Sequence, residues 1–446
     1  MVRVLLLLLL LASPVWARQP NVIVFYSDDQ GSADAPGFGA EDLALPHLSA
    51  LADGGVRLTQ CYSPAPVCSP SRAGLLTGRY PRRAGVPGNV SSTRGEAGMP
   101  GEEVTMAEMF RSAGYATGHF GKWHLGFTLE TMPNAQGFDY SFGHMGGCID
   151  NYSHFFYWDG PNRHDLYRNG EEVYEDGRYF PELVAEETGR FIEAHRDTPF
   201  FAYVALNLPH YPYQGSAAWL AHYRERGVPY PRDLYAAFLS SMDEVIGTIL
   251  SRLEAAGLTE DTIVVFQADN GHSLEERGHG GGGSAGPWRG AKFSLFEGGI
   301  RVPAIIRWPG EIPAGETRAQ LAHGCDWLPT LAELCGVALP DRAIDGKSLA
   351  GMLRDGGTSS PHDALIWHLG KGKGAQWAVR RGNWKLMVNT NDPTQRGSVD
   401  QQFLANLADD PGERTNVAAE HPDVVEELTA LHEAWLADVE REETSR

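Results

Sequence analysis

The sequence predicts an α/β protein: a large mixed, mostly parallel sheet sandwiched by helices, then a small C-terminal antiparallel sheet packed by a terminal helix. Three observations predict it. Near-continuous apolar runs at Asn21–Ser27, Phe200–Leu206 and Thr262–Gln267 have the texture of strands covered on both faces. Helical stretches separate these runs, the alternation of a wound sheet. From about Asp345 the texture changes to short alternating segments that end in one amphipathic stretch.

The elements follow in order. Arg3, the apolar run Val4–Ala12, the Ser13-Pro14 break and small residues at Val15 and Ala17 read as a cleavable signal peptide over residues 1–17, which places the protein outside the cytoplasm, secreted or periplasmic. The run is shorter than the roughly 20 residues a spanning helix needs. Helices are expected at Leu48–Asp53, Ser71–Thr77, Thr105–Ala113, Pro181–His195 and Leu234–Ala256. A glycine-rich stretch, Gly278–Gly290, precedes a strand-like Gly299–Arg307 and is therefore read as an active-site loop rather than a linker. Beyond a catalytic domain at 18–344, residues 345–446 form an α+β subdomain, with strands at Ala364–His368, Gln376–Arg380 and Trp384–Val388 and a closing helix at Asp423–Val439.

With 57 acidic against 37 basic residues the chain carries a formal charge of -20, which argues against a nucleic-acid surface. An anionic substrate would need a locally basic pocket. The five cysteines, Cys61, Cys68, Cys148, Cys325 and Cys335, leave one over in any pairing scheme. Cys325 and Cys335 are expected on one helix, too far apart to bond. Spacing does not support a Cys61–Cys148 bridge.

Polar clusters fall where such a sheet binds ligands, beyond the carboxyl ends of its strands. Asp28-Asp29 follows the first strand, and Asp269-Asn270-Gly271 follows Thr262–Gln267. Either pair alone reads as a turn or helix cap. Together they offer hard oxygen ligands suited to calcium or magnesium. Pro70 suits a first helical turn, so Cys68 would sit at a helix N-terminus, an anion site, with Arg72 one turn along flanking the same oxyanion. On spacing alone a buried apolar thiol is the better reading of Cys68. Lys122 and His124, two apart, would point the same way on an extended segment. His210 lies just past the Phe200–Leu206 strand.

Cys68-Ser69-Pro70-Ser71-Arg72, with Leu76-Thr77-Gly78-Arg79 beyond it, resembles the signature of type I sulfatases, members of the alkaline phosphatase superfamily in which that cysteine is oxidised to formylglycine (3-oxoalanine). The resemblance extends in order through Pro20-Asn21, Asp28-Asp29, Gly121-Lys122-Trp123-His124-Leu125-Gly126, Pro209-His210, Asp269-Asn270-Gly271, Arg289-Gly290-Ala291-Lys292 and Glu297-Gly298-Gly299. It reaches Asn383-Trp384-Lys385-Leu386 and Leu407–Pro411, so it covers nearly the whole mature chain.

The resemblance implies a sulfatase acting on sulfate monoesters, with sulfated glycans the expected substrates. It implies one calcium ion on Asp28, Asp29, Asp269, Asn270 and the modified Cys68. It implies Cys68 as the diol nucleophile of a covalent sulfated-enzyme pathway, Arg72 and Lys122 holding the diol, His210 and Lys292 serving the leaving oxygen, and His124 taking the proton from the second hydroxyl. A formylglycine-generating or anaerobic sulfatase-maturing enzyme is the implied partner. Two alternatives stay open: a phosphate or phosphonate monoester hydrolase on the same scaffold, and an inert binding protein. His272 and Glu275 lie outside the family set. Asn151, His154, Trp158, Asn162, Arg163 and His164 form a polar, aromatic loop that reads equally as a sugar-binding wall or as ordinary surface.

Overall fold

Every residue of the Asn21–Ser27 strand is buried, and its side chains divide between two cores. Val22, Val24 and Tyr26 pack with Leu75, Met109 and Trp327; Ile23 and Phe25 pack with Leu183, Phe238 and Met242 on the opposite face. Alternation at period two thus meets helices on both sides. The computed structural model describes residues 19–158, 162–395 and 399–445. The signal segment expected at 1–17 lies outside the described residues.

The strand is central in a ten-stranded sheet. Across it run Glu316–Arg318, Val56–Leu58, Ala304–Arg307, Thr262–Ala268, Asn21–Ser27, Phe200–Ala205, Ala116–Lys122, Tyr140–His144, Tyr167–Arg168 and Glu171–Glu172. From Thr262–Ala268 to Tyr140–His144 the pairing is parallel, and Ala304–Arg307 joins antiparallel. Each fully buried aliphatic or aromatic side chain contributes about 1.5–3 kcal/mol. The strand ends are therefore held by packing on both faces.

A four-stranded antiparallel sheet follows, in the order Ala364–Leu369, Gln376–Arg381, Trp384–Val388 and Gln402–Asn406. The helix Pro422–Ser445 covers one face through Leu428 against Val379, Leu386 and Leu404. The other face, with Trp367, Met387 and Phe403, packs on Tyr62 and Phe296 of the main body. The helix Ala350–Arg354 still packs in the main-sheet core.

Three details differ from the sequence reading. Gly299–Arg307 is not one strand: a short helix, Glu297–Ile300, precedes the strand Ala304–Arg307. Glu297 is buried in that turn and ion-paired to Lys385 at 2.9 Å, which fixes a helical turn where apolar content suggested extension. Ala116–Lys122 is a full strand of the main sheet that Gly118, His119 and Gly121 had disguised. Cys325 sits in the 3₁₀ turn Gly324–Asp326, which leads into the helix Trp327–Cys335. All five cysteines are free and buried.

Candidate active site

Four neighbouring parallel strands, Thr262–Ala268, Asn21–Ser27, Phe200–Ala205 and Ala116–Lys122, end at one sheet edge. Asp269 and Asn270, Asp28 and Asp29, His210, and Lys122 with His124 follow them or close them. The helix Cys68–Thr77 begins at this edge, entered through extended Val67, with no acidic residue in its first turn. Gly271 lets a fifth segment close in. Its N–H donates to the Gly299 carbonyl at 3.0 Å, and a Cβ there would run into the Gly298 carbonyl oxygen. Two of the motifs, Asp-Asn-Gly and Glu-Gly-Gly, are one contact.

Ligand atoms of Asp28, Asp29 and Cys68 lie within 4.8 Å of one another, all buried. The Cys68 thiol donates to Asp28 Oδ1 at 3.4 Å. Lys122 Nζ is 2.6 Å from Asp28 Oδ2, and Lys292 Nζ is 2.8 Å from Asp29 Oδ2. Arg72 Nη2 reaches Asp269 Oδ2 at 3.0 Å while its Nη1 donates to the Lys122 carbonyl at 3.1 Å. Asn270 Nδ2 donates to Asp29 Oδ1 at 2.7 Å, which leaves Asn270 Oδ1 buried with no partner. An orphaned oxygen beside three carboxylates fits a hard cation, because an unmet buried acceptor is costly.

The site has two tiers. Arg72 and Lys122 are wholly buried beneath the carboxylates. Cys68, His124, His210 and Lys292 line a cavity of about 310 Å³ above them. This corrects the expectation that Arg72 flanks an oxyanion beside the nucleophile. Three carboxylates in a dry edge need counter-charge, and Arg72 supplies it from below. Lys122 and His124 also meet the site differently from the strand-alternation argument. The strand ends at Lys122, and His124 takes φ 55, in the left-handed region, as does Asp29 at φ 60. Non-glycine residues hold such backbone only where the surroundings impose it.

Burial opposes a charged Asp28, but Lys122, then His210 and Arg72, outweigh it and hold the carboxyl well below its ordinary range. Asp269 is pushed up to about 7 by burial and by the Asp28 charge. Burial, then Lys122, holds His124 well down, and burial with Lys292 lowers His210. His124 Nε2 pairs with the Val90 carbonyl at 3.1 Å, so its unpartnered Nδ1 is a bare base. His210 Nδ1 pairs with the Tyr211 carbonyl at 2.6 Å and turns Nε2 towards Asp29 Oδ2 at 3.6 Å. Burial pushes the Cys68 thiol up, aided by Asp28 and Asp269 against Lys122 and Lys292. A thiol held neutral is a poor nucleophile, since the thiolate is the reactive form.

The wall of the cavity includes Trp158, Arg163, Tyr211, Glu275 and Asn89. Among the described residues, cations Lys292 and Arg163 outnumber the one acid in the lining, Glu275, a locally basic wall in an acidic protein. Trp158 stacks on Tyr211 at 4.7 Å and is capped by Arg277 at 3.8 Å, a braced aromatic wall. Of the polar loop, Trp158 and Arg163 reach the cavity. Asn151 is buried against Gln214 and Asn207, Asn162 is exposed off the cavity, and His154 and His164 face a separate cluster. The glycine-rich loop contributes by its flanks. Its centre packs Gly282 and Gly283 on Tyr235 and His272, while Glu275 and Lys292 reach the cavity.

Sequence reasoning set Glu275 aside and missed Tyr211 and Asn89. Glu275 accepts from Tyr211 at 2.8 Å and lies 3.5 Å from Lys292 Nζ. His272 acts through its backbone, its carbonyl accepting from the Lys292 N–H at 2.9 Å.

Comparison with known proteins matches residues 20–337 to the family described as Sulfatase, and residues 288–440 to the family described as N-sulphoglucosamine sulphohydrolase, C-terminal. Arylsulfatase A of Homo sapiens is 35% identical over 96% of this chain and 89% of its own length. The N-acetylgalactosamine-6-O-sulfatase of Bacteroides thetaiotaomicron is 29% identical over 94% of this chain and 93% of its own. A crystal structure of Ps i-CgsB in complex with k-i-k-neocarrahexaose superposes with a TM-score of 0.84 at 27% identity, covering 94% of this chain and 93% of that one.

Proposed function

The chain belongs to the sulfatase family and is a sulfuric ester hydrolase, and we propose that it desulfates glycans with a nucleophile derived from Cys68. The observation that carries this reading is the convergence of Cys68, Asp28 and Asp29 within 4.8 Å at the floor of a basic cavity. Asp28, Asp29, Asp269 and Asn270, with residue 68, would hold one hard divalent cation, calcium by this proposal, which supplies Lewis-acid charge to the nucleophile and sulfate oxygens.

A formylglycine-generating or anaerobic maturing enzyme, with its own oxidant, takes two electrons from the Cβ of Cys68, which becomes an aldehyde as its sulfur leaves as hydrogen sulfide. Cys68 is 2% exposed and its helix is buried throughout, so the exchange precedes folding. Residue 68, hydrated to a geminal diol, attacks sulfur through one hydroxyl oxygen, whose proton passes to Asp28 Oδ1, the oxygen its side chain already faces, as the bond from sulfur to the sugar oxygen breaks, leaving sulfate covalently on the enzyme. His210 Nε2, with Lys292 beside it, protonates the leaving oxygen. Burial and Lys292 lower the proton affinity of His210, and an arriving sulfate anion raises it. His124 Nδ1 takes the proton of the second hydroxyl, the carbonyl re-forms and sulfate departs. Arg72 and Lys122 hold the carboxylates in place throughout.

The glycan assignment is supported by relatives whose names or bound ligands are sugars. A cavity of about 310 Å³, walled by Trp158, Arg163 and Asn89, suits one sulfated sugar unit. Residues 18–344 carry the chemistry and 345–446 brace it through Lys385 on Glu297. The secreted or periplasmic location rests on the leader; among the described residues no helix is long and apolar enough to cross a membrane. Steady-state kinetics on matched sulfate and phosphate monoesters, then on defined sulfated mono- and oligosaccharides, test the proposal. A preference for phosphate esters would contradict it.

A further inference from the structure

The ribbon that carries part of the cavity wall is very short. Phe155–Phe156 pairs with Arg163–His164, two residues on each side, which is too little to hold itself in water. One end is tied to the cavity, where Arg163 lies 4.0 Å over the Phe156 ring and Nη2 donates to the Ser92 carbonyl. At the other end stand His154, His164 and Asp176, with one ligand atom from each within 4.8 Å of the others.

Both imidazoles are set up alike. His154 is 0% and His164 8% exposed. His154 Nε2 faces the Arg178 carbonyl at 3.1 Å, and His164 Nδ1 faces a Glu172 carboxylate oxygen at 3.2 Å. Carbonyl and carboxylate oxygens accept, so those nitrogens carry the hydrogens. His154 Nδ1 and His164 Nε2 are left as bare lone pairs, and both are buried without a partner. Two unmet acceptors side by side are costly in the absence of a ligand. An imidazole whose far N–H is tied to a carbonyl or carboxylate is the arrangement that orients metal-bound histidines.

We propose that His154, His164 and Asp176 form a second metal site, for a zinc-class divalent cation, that staples the ribbon bearing Trp158 and Arg163 to the strand-flanking segment at Asp176. Two imidazole nitrogens and one carboxylate suit zinc rather than calcium, and so differ in kind from the all-oxygen set at Asp28. Zinc would draw the three donors inward to about 2.0–2.2 Å each, and exposed Asp176 gives it a route in from solvent and a position open to water. None of the three residues lines the catalytic cavity.

The test uses the mature enzyme with calcium in excess, so that the oxygen-donor site stays satisfied. Equilibrium dialysis against micromolar zinc, read by elemental analysis, should show about one zinc equivalent fewer in His164→Gln than in the wild type. Asp176→Asn, an exposed change with little risk to folding, should weaken the same binding about 10-fold or more. Cobalt substituted for zinc should give visible absorption bands in the wild type that His164→Gln lacks. Removing zinc with a chelator that spares calcium should raise KM several-fold and leave kcat near its starting value. Equal zinc binding in the wild type and both variants, or none in the wild type, would overturn the site. Zinc binding with no change in KM would overturn its role as a staple.

Discussion

Two of the buried charge clusters in this molecule differ in what surrounds them. At the sheet edge, Asp28, Asp29 and Asp269 are met by Lys122, Lys292 and Arg72. Beneath the C-terminal sheet, Lys385 Nζ lies 2.9 Å from both Glu297 Oε1 and Glu413 Oε1, with Tyr62 donating to Glu297 at 2.6 Å. Both are dry and ion-paired. Left-handed backbone occurs in both, at Asp29 and His124 in the first and at Glu413 (φ 50) in the second, but only the first opens on a cavity, and its Asn270 Oδ1 has no partner whereas Glu413 Oε1 is ion-paired to Lys385. The second lies between Phe296 and Phe403 in a sealed apolar interface. Buried charge alone therefore does not mark a functional site. Buried charge beside a cavity, with an acceptor left unpaired, does.

Substitutions separate the two clusters, starting with the largest effect. Cys68→Ala should cut kcat/KM by ~10⁴-fold or more while the melting temperature stays near wild type, because it removes the nucleophile and little packing. Next, His210→Ala should lower kcat by about 10²–10⁴-fold, with most of the loss recovered on a substrate whose leaving group needs no proton. Lys385→Met should cost about 3–5 kcal/mol of stability by stranding two carboxylates, read by chemical denaturation, while kcat per folded molecule holds. If Lys385→Met instead removed activity from folded protein, the line drawn between the clusters would fail.

The smallest effect is a pH slope. Burial, outweighing Lys385 and reinforced by the Glu297 charge, raises Glu413 from 4.5 to about 7, while Lys385 and Arg380 overcome burial to lower Glu297 to about 2. A raised folded pKa means that the stabilisation from the protonated form is complete below about 4.5 and is lost as pH climbs through 7. Glu413→Gln, fixed in the neutral state, should gain stability relative to wild type across that window. Glu297 works in the opposite sense, its contribution fading only as pH falls from 4.5 towards 2. The kcat/KM pH profile of Glu413→Gln should match wild type, since that carboxyl does not reach the cavity.

The difference between the regions also governs what the sequence could reveal. Asp28-Asp29 and Asp269-Asn270 were legible because each directly follows an apolar run, and strand ends in a wound sheet share one edge. The Cys68 helix start was legible from Pro70. The tier that Arg72 occupies was not, because helical spacing gives a direction and not a depth. Glu275, Tyr211 and Asn89 reach the cavity from loops whose paths no periodicity encodes. Ala116–Lys122 escaped notice because glycine and histidine interrupt its apolar run. The fourth C-terminal strand, Gln402–Asn406, escaped because its apolar residues Phe403, Leu404 and Ala405 are consecutive between two amides and show no alternation. Glu297 was read through its motif alone, and its pairing with Lys385 spans the two sheets and has no local signature.

The central claim is that residue 68 acts as an aldehyde made from its thiol. It is tested most directly by mass spectrometry of the tryptic peptide spanning residues 58–72, run on preparations matured to different extents, alongside specific activity on a sulfate monoester. The account predicts activity proportional to the aldehyde fraction and extrapolating to zero for the thiol. Full activity in protein whose residue 68 is wholly thiol would contradict it.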